Sequence, residues 1–239
     1  MEEIKADLTT ELNFIPGNFP GAQPVSLDWS NIHILLNNTH LVSEKSDGER
    51  KLFYSYNNKS YLFDRKFNST ETNILATKER TILDGEIVVD CFPDGRKVER
   101  YLVFDAMVCD GIAVKNYPLL NRLSRFFTDV LEPARASNTC NEVYLKDFFK
   151  LRDIDTVLSL KLHHPSDGLI FTPMEDAYHA GRCANLLKYK STTTVDFAAW
   201  KVGYSIELYC GVKGDDSLWI AYADEGDKSF LQFHTAMTT

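Results

Sequence analysis

A short charged stretch around Lys45 restricts what this chain can fold into more than any other feature of the sequence. Apolar residues between positions 32 and 42 lead into Lys45-Ser46-Asp47-Gly48-Glu49-Arg50. Directly after it, Lys51–Tyr56 and Tyr61–Phe63 are two strand-like runs separated by a turn at Asn57-Asn58, which predicts a β-hairpin. The set K-x-D-G-x-R therefore lies immediately before a hairpin, and its four fixed residues recur by chance in such a chain at roughly the few-per-thousand level.

Lys45 is either an ordinary surface lysine or a nucleophile. A lysine amine is nucleophilic only when it is neutral, and its reference pKa of about 10.4 keeps it charged at pH 7. Burial or neighbouring cations lower that pKa, which is how lysines become covalent catalysts. Arg50 offers a planar donor fork for ribose or phosphate oxygens. Gly48 lets the backbone approach a ligand closely.

Composition indicates a soluble globular protein, because 25% of the 239 residues are charged and 44% are hydrophobic. The net charge of -8 argues against broad nucleic-acid binding but leaves room for a local basic cleft. The five cysteines form no C-x-x-C pair, so neither a zinc site nor a disulfide framework is expected, and His163-His164 is predicted to be a solvated loop pair. No apolar run is long enough to span a membrane, and we expect a reducing intracellular compartment.

The coarse secondary structure predicts an α+β fold with mostly antiparallel sheet. Residues 1–30 carry several prolines and glycines and are expected to form an extended arm. A helix is predicted from Leu119 to Leu131, closed by Pro133, and a shorter one from Asp153 to Leu162. Strands are predicted at Thr81–Asp90, Tyr101–Val108, Leu169–Phe171 and Leu186–Lys190, and short strand-like runs follow at Ile206–Cys210, Leu218–Ala223 and Phe230–Phe233.

Four further segments place charged residues on or beside predicted strands: Leu83–Glu86, Val103–Asp105, Ser166–Phe171 and Lys188–Lys190. Each has an ordinary interpretation when taken alone. An Asp-Gly pair is usually a turn, and Lys-x-Lys is usually a solvated strand face. Phe104 by itself is more often a core residue than a platform for a base.

Together and in this order, these segments resemble the covalent nucleotidyltransferases, the superfamily of mRNA capping guanylyltransferases and polynucleotide ligases. Lys45–Arg50 is similar to the nucleophile motif of that superfamily. Phe19–Ser26, Gly181–Cys183 and Thr194–Phe197 are similar to the corresponding segments of cellular capping enzymes. The resemblance covers about residues 19 to 200.

The resemblance implies a two-step reaction. Lys45 would attack the α-phosphate of GTP, giving lysyl-GMP and pyrophosphate, and GMP would then pass to the 5′-diphosphate end of RNA. A divalent metal, Mg²⁺ or Mn²⁺, is expected because phosphoryl transfer needs its charge neutralised. RNA triphosphatase and the C-terminal domain of RNA polymerase II are implied as partners and the nucleus as the location, with no role at a membrane.

The resemblance also assigns nucleotide contacts to eight residues besides Lys45. They are Arg50 for the ribose or the RNA-side phosphate, Glu86 for the sugar or metal, Phe104 for stacking on guanine, Lys188 and Lys190 for the α-phosphate, Asp167 and Asp196 for metal or lysine positioning, and Arg65 as a weaker contact.

Domain organisation follows from the same resemblance. Residues 1–196 would form the nucleotidyltransferase domain, and residues 197–239 a shortened or incomplete OB-fold segment. Asp227-Lys228 is similar to the end of the family's R-x-D-K motif, with Glu225 at the arginine position. Three functions stay open at this point: an mRNA guanylyltransferase, an ATP-dependent polynucleotide ligase, or a nucleotide-binding scaffold with impaired catalysis.

Overall fold

The computed structural model describes residues 1–14, 19–37, 39–190, 198–202, 205–211 and 217–222. The chain divides into two compact units, Met1–Ser191 and Thr192–Thr239. No helix in these described ranges is long and apolar enough to cross a membrane.

The described residues of the first unit form twelve β-strands and five α-helices. In chain order these are α1 (Glu2–Leu12), β1 (Ala22–Ser26), α2 (His33–Asn37), β2 (His40–Ser46), β3 (Glu49–Tyr56), β4 (Lys59–Phe63), β5 (Ser69–Thr72), β6 (Thr81–Cys91), β7 (Lys97–Cys109), β8 (Ile112–Ala113), α3 (Leu119–Phe126), α4 (Glu132–Ala136), β9 (Val143–Leu145), β10 (Phe149–Lys150), α5 (Ile154–Leu158), β11 (Ser166–Pro173) and β12 (Gly181–Lys190). A π-helical turn, Phe127–Leu131, joins α3 to α4, and a 3₁₀ turn, Leu151–Asp153, precedes α5.

These strands form two sheets. One sheet has the order β1-β12-β11-β2-β10, and the other has the order β5-β4-β3-β6-β7-β8 with β9 beside β7. All pairs are antiparallel except β1 with β12 and β7 with β9. The α+β prediction is confirmed, including the β3–β4 hairpin.

The second unit contains three described strands, β13 (Ala198–Val202), β14 (Ser205–Gly211) and β15 (Ser217–Tyr222). They form an antiparallel sheet in sequence order. The runs predicted at Ile206–Cys210 and Leu218–Ala223 fall largely on β14 and β15. The run at Phe230–Phe233 lies outside the described residues, as does the rest of the predicted OB-fold segment after Tyr222.

The prediction of an extended arm over residues 1–30 is wrong for its first third, because Glu2–Leu12 form α1. The prolines and glycines that suggested an arm begin only at Pro16. Leu8 and Leu12 are buried in a core cluster, and Arg80 forms ion pairs with Asp7 at 2.6 Å and with Glu11 at 2.7 Å. Tertiary packing and these ion pairs stabilise a helix whose sequence alone carries a weak signal.

Pro133 does not end the predicted helix. The helical backbone runs from Leu119 through the π-helical turn and continues to Ala136. Proline is tolerated in the first turn of a helix, and Pro133 lies at the start of α4, where its missing N–H costs little. Leu119, Leu123 and Phe126 of this helix are buried, whereas Leu120 and Phe127 are exposed. The second predicted helix is shorter than expected, Ile154–Leu158.

A buried charge network joins the two sheets beside Lys45. Glu44 on β2 accepts hydrogen bonds from Lys146 Nζ at 2.5 Å and from Ser46 Oγ at 2.9 Å. Burial alone would raise the pKa of Glu44, but hydrogen bonding by His164 and the charge of Lys146 lower it to about 2. Glu44 is therefore a carboxylate at any physiological pH, and it holds β2 against the segment between β9 and β10.

His164 extends this network to the second sheet, which corrects its prediction as a solvated loop residue. Its side chain is only 9% exposed, and its ring nitrogens lie 3.4 Å from Glu44 Oε1 and 2.7 Å from Asp90 Oδ1. Asp90 on β6 is also bound by Arg100 Nη1 at 2.6 Å. Hydrogen bonding to Glu44 raises the pKa of His164 in spite of burial, and Asp90 adds to the effect. His163, in contrast, is exposed as predicted.

The raised pKa of His164 predicts a pH-dependent stability. A group whose pKa is raised by folding contributes fully below its unfolded pKa of about 6.5, and the contribution is lost as pH rises through the folded pKa. We expect His164→Asn to lower the free energy of unfolding by about 1.5–3 kcal/mol near pH 5.5 and by clearly less near pH 8.5. Urea unfolding at both pH values measures this difference. His163→Asn is the matched control, and an equal loss at the two pH values in His164→Asn would contradict the prediction.

Candidate active site

A cavity of about 210 Å³ lies between the two sheets of the first unit and is lined by residues of both. Six of the nine predicted site residues line it: Lys45, Arg50, Arg65, Glu86, Phe104 and Lys188. Asp167 and Lys190 do not line the cavity. Asp167 contacts Lys45 directly, and Lys190 contacts Asp167. Asp196, like Glu225, Asp227 and Lys228, lies outside the described residues.

Lys45 lies near the end of β2, with its side chain 21% exposed and its Nζ 2.5 Å from Asp167 Oδ1. Lys190 Nζ lies 2.9 Å from the other carboxylate oxygen, so Asp167 bridges the two lysines. Burial opposes ionisation of Asp167, but hydrogen bonds from both lysines lower its pKa. Asp167 is therefore a fixed anion that holds the Lys45 amine in place beside the cavity.

The position of Asp167 depends on a β-bulge. The register between β2 and β11 shifts between Ser166 and Leu169, and Asp167 and Gly168 occupy that shift. A bulge re-aims the side chains it contains. Gly168 is required there because a Cβ atom would come 1.9 Å from the carbonyl oxygen of Tyr189 on β12. The Asp167-Gly168 pair, which usually indicates a turn, here places a carboxylate between two strands.

The loop that follows Lys45 is bound to β6. Gly48 N–H donates to Glu86 Oε1 at 3.1 Å. A Cβ atom at Gly48 would lie 2.3 Å from the carbonyl oxygen of Ile87, so only glycine allows this approach. Burial raises the pKa of Glu86, and the Gly48 N–H and nearby cations partly offset it. Gly48 therefore serves the packing of the loop, and Glu86 is left as a carboxyl group at the cavity wall.

Arg50 does not present its donor fork to the cavity. Its Nε and Nη2 donate to the two oxygens of Asp84 at 2.9 and 2.5 Å, and its guanidinium lies over the rings of Phe19 and Phe104 at 5.2 and 5.3 Å. Burial would lower the pKa of Arg50, but the charge of Asp84 raises it above its usual range. Within the described ranges Nη1 has no hydrogen-bond acceptor, so this nitrogen can serve a ligand.

The sequence did not single out several residues that line the cavity, among them Glu44, Asp105 and Lys146. Asp105 is bound by Arg122 of α3 through two hydrogen bonds, at 2.6 and 2.8 Å. Burial raises the pKa of Asp105 against the opposing charge of Arg122. Asp105 belongs to Val103–Asp105, one of the segments that place charged residues on or beside predicted strands. Lys146 belongs to no recognisable motif, and only folding brings it to the cavity.

The cavity is cationic although the protein is acidic. Its walls carry five cationic side chains and four acidic ones. Three of the acids are bound to buried or partly buried cations: Glu44 to Lys146, Asp84 to Arg50 and Asp105 to Arg122. Arg65 and Lys188 form no ion pair with any described residue, which leaves their charges for a ligand. The site therefore suits an anion such as a polyphosphate.

Solved structures resemble this chain in fold. A mycobacterial DNA ligase D complexed with ATP and MES superposes with a TM-score of 0.54, covering 89% of this chain and 74% of that chain at 18% identity. The ATP-dependent DNA ligase of bacteriophage T7 gives a TM-score of 0.50 at 12% identity, covering 86% and 81% of the two chains. At these identities the likeness concerns the fold alone.

Sequence comparison identifies the family. The family model for the catalytic domain of mRNA capping enzyme matches residues 1–192. The mRNA-capping enzyme subunit alpha of Schizosaccharomyces pombe is 35% identical in an alignment 226 residues long that covers 81% of this chain and 56% of that protein. The mRNA-capping enzyme of Caenorhabditis elegans is 32% identical in an alignment 225 residues long that covers 81% of this chain and 35% of that protein. The chain spans from about a third to just over half the length of these relatives. It belongs to the mRNA capping enzyme family.

Proposed function

We propose that this chain is an mRNA guanylyltransferase that transfers GMP from GTP, through a covalent lysyl-GMP, to the 5′-diphosphate end of RNA. The proposal rests on one observation: where Lys45 lies in the structure of this chain, which belongs to the mRNA capping enzyme family. Its amine lies at the edge of a cationic cavity, held by Asp167, with Arg50 and Phe104 among the residues that line the same cavity. A nucleoside triphosphate in this cavity would meet a nucleophile, cations for its phosphates and an aromatic ring.

In the first step the neutral Lys45 amine attacks the α-phosphorus of GTP. The new bond joins Nζ to phosphorus, and the bond from phosphorus to the bridging oxygen breaks, so pyrophosphate leaves. Lys45 must first lose a proton to solvent, and its contact with Asp167 orients the amine until it does. Asp167 also binds Lys190, so its charge is shared between the two lysines.

Lys188 and Lys190 have different surroundings although they share a strand. Lys188 lines the cavity and forms no ion pair with a described residue, whereas Lys190 is bound to Asp167. We assign Lys188 to the α-phosphate, where a cation stabilises the charge that develops in the transition state. Lys190 would act beside it and keep Asp167 in position. Arg65 is exposed at the cavity and would contact the phosphates more loosely.

Phe104 and Arg50 would bind the nucleoside. Base stacking on an aromatic ring contributes roughly 1–3 kcal/mol. Arg50 lies over the ring of Phe104, so its Nη1 would meet the ribose or a phosphate while the ring contacts guanine. Asp196, which lies outside the described residues, is assigned to the same site from the sequence alone.

Glu86 is suited to a divalent metal. Its carboxyl group lines the cavity, and its hydrogen-bond partner among the described residues is the Gly48 N–H on one oxygen. The described residues contain no cluster of three or more His, Cys, Asp or Glu for a metal. Mg²⁺ commonly binds through one or two carboxylates and substrate phosphates, and Glu86 fits that arrangement. When bound, Mg²⁺ or Mn²⁺ would neutralise charge on the triphosphate.

In the second step an oxygen of the RNA β-phosphate attacks the phosphorus of lysyl-GMP. The phosphorus–nitrogen bond breaks and Lys45 takes up a proton, which returns it to its contact with Asp167. The substrates are thus GTP and 5′-diphosphate RNA. RNA triphosphatase and the C-terminal domain of RNA polymerase II are the partners that we propose from the family, in the nucleus.

Covalent labelling tests the function directly. We expect label from α-labelled GTP with a divalent metal to remain on the chain through a denaturing gel, and label from ATP not to. The linkage should be labile in acid and stable in base, as a phosphoramidate is. Lys45→Arg should abolish labelling, because a guanidinium is not deprotonated in proteins. Lys51→Arg, at a β3 lysine whose Nζ lies 2.5 Å from the carboxylate of Glu49 on the same strand, is the matched control.

Three results would contradict this proposal in different ways. Persistent labelling of Lys45→Arg would place the nucleophile elsewhere. Labelling by ATP instead of GTP would support a polynucleotide ligase, the reaction named in the structures of similar fold. GTP binding without any labelling would support the scaffold.

Replacement of the two lysines of β12 tests whether they contact the phosphates of the nucleotide or only form a solvated strand face. Lys188→Ala and Lys190→Ala should each slow lysyl-GMP formation by about 10²-fold, the typical loss for one transition-state donor. Single-turnover labelling measures both rates. The exposed Lys161, between α5 and β11, provides the control Lys161→Ala, which should keep the wild-type rate. Wild-type rates in both β12 variants would remove these lysines from the mechanism.

A further inference from the structure

The Tyr178 hydroxyl lies at the centre of the hydrogen bonds that hold Arg50. Tyr178 is 6% exposed and belongs to the segment between β11 and β12. Its hydroxyl donates to Asp84 Oδ2 at 2.6 Å and accepts from the backbone N–H of Ala22 at 3.0 Å. The same Asp84 oxygen accepts from Arg50 Nη2 at 2.5 Å. One hydroxyl group thus connects β1, β6 and, through Asp84, the arginine of β3.

The orientation of the Arg50 guanidinium is set mainly by the orientation of the Asp84 carboxylate. The guanidinium lies over the rings of Phe19 and Phe104, and its edge is bound by both oxygens of Asp84. Asp84 is completely buried, so water does not replace a lost donor easily. Rotation of the Asp84 carboxylate would therefore move Arg50 Nη1, the nitrogen that is left for a ligand.

The ring of Tyr178 has a separate, structural role. It packs in the core cluster that contains Phe19, Ala22 and Leu52. Its backbone N–H donates to the carbonyl of Lys115 at 2.7 Å, which fixes the segment independently of the hydroxyl. Burial and the charge of Asp84 raise the pKa of Tyr178 far above its usual value, so the hydroxyl keeps its proton and remains a donor. Phenylalanine would keep the ring packing and remove only the hydroxyl.

We propose that Tyr178 is a positioning residue for the nucleotide: its hydroxyl fixes the Asp84 carboxylate, which in turn aims the guanidinium of Arg50 at the ribose or phosphate oxygens. The proposal rests on the proposed function of the cavity. Tyr178 acts here through two other residues, and the Ala22 N–H makes its orientation depend on β1, which lines the cavity. Strand β1, the buried acid and the arginine would thus form one coupled unit.

A double-mutant cycle tests this chain of contacts. We expect Tyr178→Phe to slow single-turnover formation of lysyl-GMP about tenfold. In an Arg50→Lys background, where the bidentate contact to Asp84 is already lost, the same substitution should change the rate less than twofold. A full tenfold effect in both backgrounds, or no effect in either, would overturn the proposal.

The matched control is Tyr54→Phe. Tyr54 belongs to the same core cluster, is 5% exposed, and donates its hydroxyl to a carboxylate, that of Asp7, at 3.0 Å. Removal of this hydroxyl should lower Tm, by less than Tyr178→Phe does because Asp7 is partly exposed and also bound by Arg80, and should leave the labelling rate unchanged. If Tyr54→Phe slowed labelling equally, loss of stability would explain both variants and the positioning role would be wrong.

Equilibrium binding separates this proposal from the proposed function. The cycle is repeated with GTP binding to chains that also carry Lys45→Met, in which no covalent step can occur. Tyr178→Phe should weaken GTP binding only when Arg50 is present. If the wild-type chain did not label at all, the proposed function would fail, and this binding cycle would still decide whether Tyr178 acts through Arg50. Additive losses of binding would refute the role.

Discussion

The ion pair between Arg50 and Asp84 is the interaction on which the rest of the cavity depends. Asp84 is completely buried, and an unpaired charge there would cost several kcal/mol, so removal of one partner should destabilise the fold by about 3–5 kcal/mol. The guanidinium of this pair also lies over the rings of both Phe19 and Phe104. A Cβ atom at Gly21 would lie 2.8 Å from Arg50 Nη2, so a side chain at position 21 would displace the arginine. Stability and ligand geometry therefore have the same origin.

Pairing of buried charges also explains how an acidic protein contains a cationic cavity. Each of the acids Glu44, Asp84 and Asp105 is bound to its own cation, so the acidic surplus of the chain is not expressed inside the cavity. Asp167 differs because it binds two lysines, Lys45 and Lys190, at its edge. It holds the amine in place in the free protein, and a bound triphosphate would compete with it for the same cations.

The predictions that failed did so where distant residues decide local structure. The segment 2–12 has few strong helix signals, and its helix is stabilised by burial of Leu8 and Leu12 and by Arg80, far along the chain. His164 follows another histidine in a polar stretch, and it is buried because Glu44 and Asp90 converge on it from two strands. Neither set of partners is visible within a local window of sequence.

The sequence by itself determined the α+β class and the main strands, because strand alternation and turn residues are local patterns. Its nine candidate site residues came from the resemblance of several motifs to one family, and six of them line the cavity. Only the tertiary structure decided which charges are paired. It turned the Arg50 fork away from the cavity toward Asp84, gave Lys188 and Lys190 different surroundings, and brought Lys146 and Tyr178 to the cavity. These outcomes depend on the packing of the two sheets, because the partners lie far apart in the chain and meet only in the folded protein. A buried acid also requires a cation as its partner, which favours these particular pairs.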